Sequence, residues 1–199
     1  MNPVPLLAMT PFDLDKNLGR AYNNALALLP EDGWACLMDH DMMFTTPNWY
    51  AQLQEAIAYA PQGTFTAVTN RIASPWQRAE EVDRKNNDVQ YHRKVGQARL
   101  RRRALLDISD SNGFGGVIIC LSKATWRQVG GFADGLYCVD HSLFYKLRAL
   151  ELPSYLIEGL YVYHVRGSSE ATPPMVAPKV PGCPCARKVP APTQRLALP

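Results

Sequence analysis

Asp39 and Asp41 are separated by one residue in WACLMDHDMMF (34–44), immediately after an apolar run. In an extended segment alternate side chains share a face, so both carboxylates point one way and His40 the other. Two carboxylates that close repel, and they are costly to ionise unless a cation sits between them. A hard divalent ion, Mn²⁺ or Mg²⁺, resolves the conflict through oxygen ligands. The competing reading is an Asp-rich turn in which each carboxylate caps backbone N–H groups. On spacing alone both readings stand.

Three further features carry potential chemistry. Asp140 opens the amphipathic segment VDHSLFYKLRALEL (139–152). The helix macrodipole keeps a carboxylate there ionised, which suits a general base and equally suits an N-cap. His164 closes the aromatic run YVYH, where an imidazole packs or faces solvent as readily as it binds a ligand. The RLRRR cluster (99–103) either meets phosphate groups or forms a solvated helix face. Cys183 and Cys185 form a C-P-C pair with no further ligands nearby, which reads as two thiols rather than a metal site.

The elements that must position these residues follow from periodicity. The segment 5–12 reads as a strand ending at a Thr-Pro turn, 34–38 as a strand covered on both faces, and 64–70 as another strand. Between them, Leu18, Ala21, Tyr22, Ala25, Leu26 and Leu29 make one helical stripe. Trp49, Leu53, Ile57 and Ala60 make a second, with Thr46 as N-cap and Pro47 at the first helical position. The order β-α-β-α-β predicts an α/β domain with a mostly parallel central sheet flanked by helices. Residues 75–110 are polar and charge-mixed, predicting a helical surface insertion or flap. Beyond them, 116–120 reads as a buried strand, Ser122 caps a short helix that Gly130-Gly131 ends, and 154–164 holds one or two strands.

From residue 168 the composition changes. Eight of the sixteen prolines lie between 173 and 199, predicting a disordered tail over 168–199 behind a compact domain of 1–167. Lys179, Arg187, Lys188 and Arg195 against Glu170 account for the whole net charge of +3, so 1–167 is neutral overall. A neutral body argues against a nucleic-acid binder. No apolar run is long enough to span a bilayer, and the N-terminus lacks the basic region of a signal peptide, so the expected location is cytoplasmic.

Taken in order, NLGRAYNNAL (17–26), WACLMDHDMMF (34–44), the Gly-rich stretch with GGFADGLYCVD (111–147) and YVYHV (161–165) resemble the family 2-like glycosyltransferases of the GT-A fold. The resemblance covers most of 5–167 and implies a GT-A type nucleotide-diphospho-sugar transferase fold. It implies a nucleoside-diphosphate sugar donor, UDP-sugar ahead of GDP-sugar, and transfer to a glycan, lipid-linked or protein acceptor. On this resemblance Asp39, Asp41 and His164 hold Mn²⁺ or Mg²⁺, and Asp140 is the acceptor base. Asn17, Gly19, Arg20, Asn23, His40, Gly115 and Gly116 lie on the donor, and Asp134 and His141 on the acceptor side. Family members usually carry an additional strand and helix before the Asn-x-Gly helix. Here Thr10, Pro11 and Phe12 lead almost directly into it, which makes the TPFDLD turn the stand-in for the base-binding segment. A domain that binds nucleotide, glycan or a protein without catalysis, and a metal-dependent phosphohydrolase, are the alternatives.

Overall fold

The computed structural model describes residues 3–165, 192 and 194–198. Cys183 and Cys185, and most of the proline-rich tail, lie outside the described residues. The chain folds as a mixed α/β protein around an eight-stranded sheet in the order β1-β2-β6-β4-β7-β5-β8, with β3 paired to β7. The strands are β1 (Leu6–Met9), β2 (Trp34–Met38), β3 (Met42–Phe44), β4 (Thr64–Thr69), β5 (Ala104–Asp107), β6 (Ile118–Ser122), β7 (Ser154–His164) and β8 (Arg195–Ala197). The helices are α1 (Leu18–Ala27), α2 (Trp49–Tyr59), α3 (Val89–Arg99), α4 (Lys123–Gln128) and α5 (Val139–Ala149).

Both faces of the central strands are covered, which is why WACLM shows no alternation. Ala35 and Leu37 join one core with Tyr22 and Leu26 of α1 and Leu143, Phe144 and Leu147 of α5. Trp34 and Cys36 join the other core with Leu53, Ala56 and Ile57 of α2. Each fully buried Leu, Ile or Phe among them contributes about 1.5–3 kcal/mol relative to exposure.

The expected mostly parallel sheet needs correction. Only β1–β2 and β4–β7 pair in parallel; the other five pairings are antiparallel. The cause is the route of the chain after β5. Residues 108–117 return to the edge where β2 ends, Met38 pairing with Ile118. The strand that follows the Gly-rich stretch, β6, therefore runs back between β2 and β4. Three other expectations change. Thr46 does not cap α2, whose N-cap is Asn48 without a side-chain bond. The 75–110 stretch is woven into the fold, supplying β5 to the sheet and burying His92 and Arg99 of α3. The end of the tail forms β8, pairing Ala104 with Ala197 and Leu105 with Leu196.

Candidate metal centre and adjoining cavity

β2, β4 and β7 run in the same direction, so Asp39, Asn70 and His164 arrive at one edge of the sheet, the carboxyl edge where open α/β sheets hold ligands. The β3–β7 register sets Met42 opposite His164, and Asp41 O accepts the Val165 N–H at 2.7 Å. This folds the Asp39-His40-Asp41 turn over the end of β7. One ligand atom from each of Asp39, Asp41 and His164 falls within 4.8 Å of the others.

The imidazole is oriented by its backbone neighbours. His164 Nδ1 lies 2.8 Å from Arg71 O, which can only accept, so Nδ1 carries a hydrogen. Nε2 is left facing Asp41 Oδ1 at 3.2 Å and Asp39 Oδ2 at 4.0 Å. Asn70, fully buried, clamps the His164 backbone. Its Oδ1 accepts the His164 N–H at 2.8 Å and its Nδ2 donates to His164 O at 3.2 Å.

The local charges ask for a cation. Burial pushes the Asp39 carboxyl up to about 6; nearby Asp41 and Asp140 add to the rise and His164 opposes it. The hydrogen bond from His164 holds Asp41 below the usual carboxylate range. Burial lowers His164, but its bonds to Asp41 and Arg71 O outweigh it and leave the imidazole above its ordinary value. Nε2 needs a proton to satisfy Asp41, and a divalent ion in the same place satisfies all three groups. Donors sharing an octahedral ion stand about 3 Å apart at bonds of this length, which the Nε2–Asp41 separation matches. A set of two carboxylates and one imidazole suits Mn²⁺ better than the oxygen-preferring Mg²⁺.

Asp39 also lines a cavity of about 230 Å³ with Asp140, Gly116, Tyr22, Leu18 and the 136–139 turn. Cys138 stands just before α5 in the left-handed region at φ 59°, a strained position for a residue with a Cβ. Asp140 follows in the first turn. Its Oδ2 accepts the Gly116 N–H at 2.9 Å, and its Oδ1 accepts the His141 N–H at 2.8 Å and faces His141 Nδ1 at 3.2 Å. That contact raises His141 above its ordinary value against the effect of burial. The carboxylate is thus held in place with lone pairs still available toward the cavity.

Several residues expected on the donor are occupied elsewhere. Asn17 caps α1, accepting from Arg20 N and Gly135 N. Asn23 Oδ1 accepts from Phe132 N and Trp126 Nε1. A Cβ on Gly19 would lie 1.8 Å from Ala133 O. All three serve the contact between α1 and the 131–135 turn, while Leu18 and Tyr22 of the same helix face the cavity. Arg20 is not free for phosphate: it forks onto Asp13 and bonds Asp15, holding Asp13 down to about 2. Gly115 is packed under Ile72, whose Cδ1 would meet a Cβ at 2.4 Å; Gly116 alone of the pair borders the cavity. Thr10, Phe12, His40 and Asp134 are exposed and Pro11 is half-buried, and the TPFDLD turn lines none of the described cavities. Asn70, Tyr22 and Cys138 were missed. Asn70 had a signal, a polar residue directly ending a wholly buried strand.

No family model matches the chain, and no curated protein matches it.

Proposed function

We propose that the protein is a metal-dependent glycosyltransferase of GT-A type, moving a sugar from a nucleoside-diphosphate sugar to an acceptor hydroxyl. The observation that carries this reading is the convergence of Asp39, Asp41 and His164 beside the cavity that holds Asp140. Asp39, Asp41 and His164 hold Mn²⁺, or Mg²⁺ less readily. When bound, the ion stabilises the diphosphate leaving group as a Lewis acid. Asp140 accepts the proton of the acceptor hydroxyl as that oxygen attacks the anomeric carbon. Gly116, without a side chain, leaves room for the donor sugar next to Asp140. Leu18 and Tyr22 give the cavity an apolar wall on the side of α1. UDP-sugar is the favoured donor and GDP-sugar the second choice.

Thermal unfolding with Mn²⁺ and a panel of nucleoside diphosphates tests the donor site. Mn²⁺ plus the cognate diphosphate should raise Tm well beyond either alone, because the ion binds both. Asp140→Asn should keep that synergy and lose sugar transfer. A melting curve indifferent to every diphosphate with Mn²⁺ would reject the donor site. Synergy without transfer by the native chain, across the sugars of the cognate nucleotide, would favour the non-catalytic binding domain.

A further inference from the structure

A second cavity, of about 600 Å³, opens where α3 crosses the β3–α2 connection. Gly96 permits this close crossing, since a Cβ there would lie 2.1 Å from Thr45 Oγ1. One wall is the stacked pair Phe44 and Trp49, with centroids 4.1 Å apart and planes 10° apart. The α3 wall is Gln90, Arg93, Lys94 and Gln97. A further hollow of about 480 Å³ shares Lys94 and Gln97 and continues to Arg101.

The cations of this region divide in two. Arg99 and Arg102 pair with Glu81, and Arg103 with Glu55. Arg93, Lys94 and Arg101 are exposed and make no ion pair among the described residues. No acid occurs from 89 to 106. In a body that is neutral over 1–167, this is a local concentration of unpaired positive charge on one wall of a groove with an aromatic opposite wall. The chemistry that satisfies it is specific. An aromatic surface takes the C–H face of a pyranose ring, primary amides take hydroxyl pairs, and the guanidinium and ammonium take anionic substituents. Among the described residues, Phe44 and Trp49 are the one aromatic platform lining the groove, where a single-stranded nucleic acid needs several in succession. Phe44 lies three residues beyond Asp41, about 10 Å of extended chain, so a bound saccharide is within a few sugar units of the metal triad.

We propose that this groove binds an anionic saccharide as the acceptor of the transfer. Its role as acceptor rests on the transferase reading; the binding does not. The test is titration of the metal-free protein, followed by NMR of the Trp49 indole and the Gln90 and Gln97 amides. The probes are carboxylated, sulfated and phosphorylated oligosaccharides, neutral oligosaccharides of equal length, and oligo-dT. At least one anionic saccharide should bind tenfold or more tighter than its neutral counterpart and shift those signals. R93E/K94E, both exposed positions, should weaken that binding at least tenfold while keeping the circular dichroism and the Mn²⁺-dependent diphosphate stabilisation of the native chain. Equal binding of neutral and anionic saccharides, no binding by any saccharide, an unaffected double variant, or tighter binding of oligo-dT would each overturn the proposal. Saccharide binding that persists in a protein showing no Mn²⁺–diphosphate synergy would keep the groove and remove the transferase.

Discussion

Asn70 touches neither cavity, yet it fixes the backbone that carries His164. Its two hydrogen bonds hold the end of β7 against the end of β4, and Arg71 O sets the tautomer of the imidazole. Groups that orient a metal ligand typically matter 10–100-fold for metal affinity. Asn70→Ala should weaken Mn²⁺ binding by about that factor while leaving the protein folded, measured by calorimetric titration; unchanged affinity would show that the triad needs no such support. A second histidine, the fully buried His92, answers to pH. His92 Nε2 lies 2.9 Å from Asn86 O and so donates, leaving Nδ1 to accept from the Tyr161 hydroxyl at 2.7 Å. Burial lowers its pKa from the ordinary value. The unfolded chain therefore takes up the proton first as pH falls. The contribution of neutral His92 is complete above the unfolded pKa of about 6.5 and is lost as pH drops toward the folded value. His92→Gln should cost more stability at pH 8 than at pH 5, read from paired melting curves; a pH-independent gap would refute the titration.

At the level of elements, the link between α1 and the 131–135 turn decides whether the cavity exists. Gly19 lets the helix approach Ala133 O, and Asn17 and Asn23 bond the same turn. Gly19→Ala places a methyl in that contact, and overpacking of this kind costs roughly 1–3 kcal/mol or more. The expected result is a lower urea midpoint and a shift in the fluorescence of Trp126, which bonds Asn23; an unchanged midpoint would mean that the turn yields freely. Most elements that flank the site were legible in the sequence, because strands buried on both faces read as short unbroken apolar runs and helices with wide stripes leave clear periodic marks. The rest has physical reasons. α3 buries His92, Gly96 and Arg99, so hydrophobic periodicity reads it as a surface element. β3 has only three residues, too few for any pattern. Asp39, Asp41 and Asp140 stand out by type and spacing. By residue type alone His164 is one unremarkable histidine; only the family resemblance singles it out in the sequence, and the β3–β7 register sets it against a turn 123 positions earlier in the chain. Arg20 and the two asparagines matched a pattern by type, but type does not say which partner a side chain has already taken.

For the whole molecule, the two edges of the sheet are managed differently. Among the described residues β1 pairs only with β2, and Leu7 on it is exposed. The opposite edge is closed by residues nearly ninety positions further along the chain than β5. β8 pairs with β5, Asp107 N–H donates to Gln194 O, and Leu198 N–H donates to Arg103 O. Leu196 and Leu198 pack on the core beneath α2, and Arg195 pairs with Glu158 at 3.1 Å. An uncovered edge strand is a template for pairing with other chains. A chain ending at residue 192 should still fold, since the metal triad, the cavity and both cores are built almost wholly from residues before 166. It loses two half-buried leucines at about 1 kcal/mol each, and a protein of this size shifts by about 2–4 °C per kcal/mol. The expected outcome is a Tm lower by roughly 4–8 °C with Mn²⁺–diphosphate synergy retained, and a greater tendency to aggregate on heating. An unchanged Tm would mean that β8 contributes no stability. Lost synergy in a folded, truncated chain would mean that the last residues act on the metal site from the far side of the sheet.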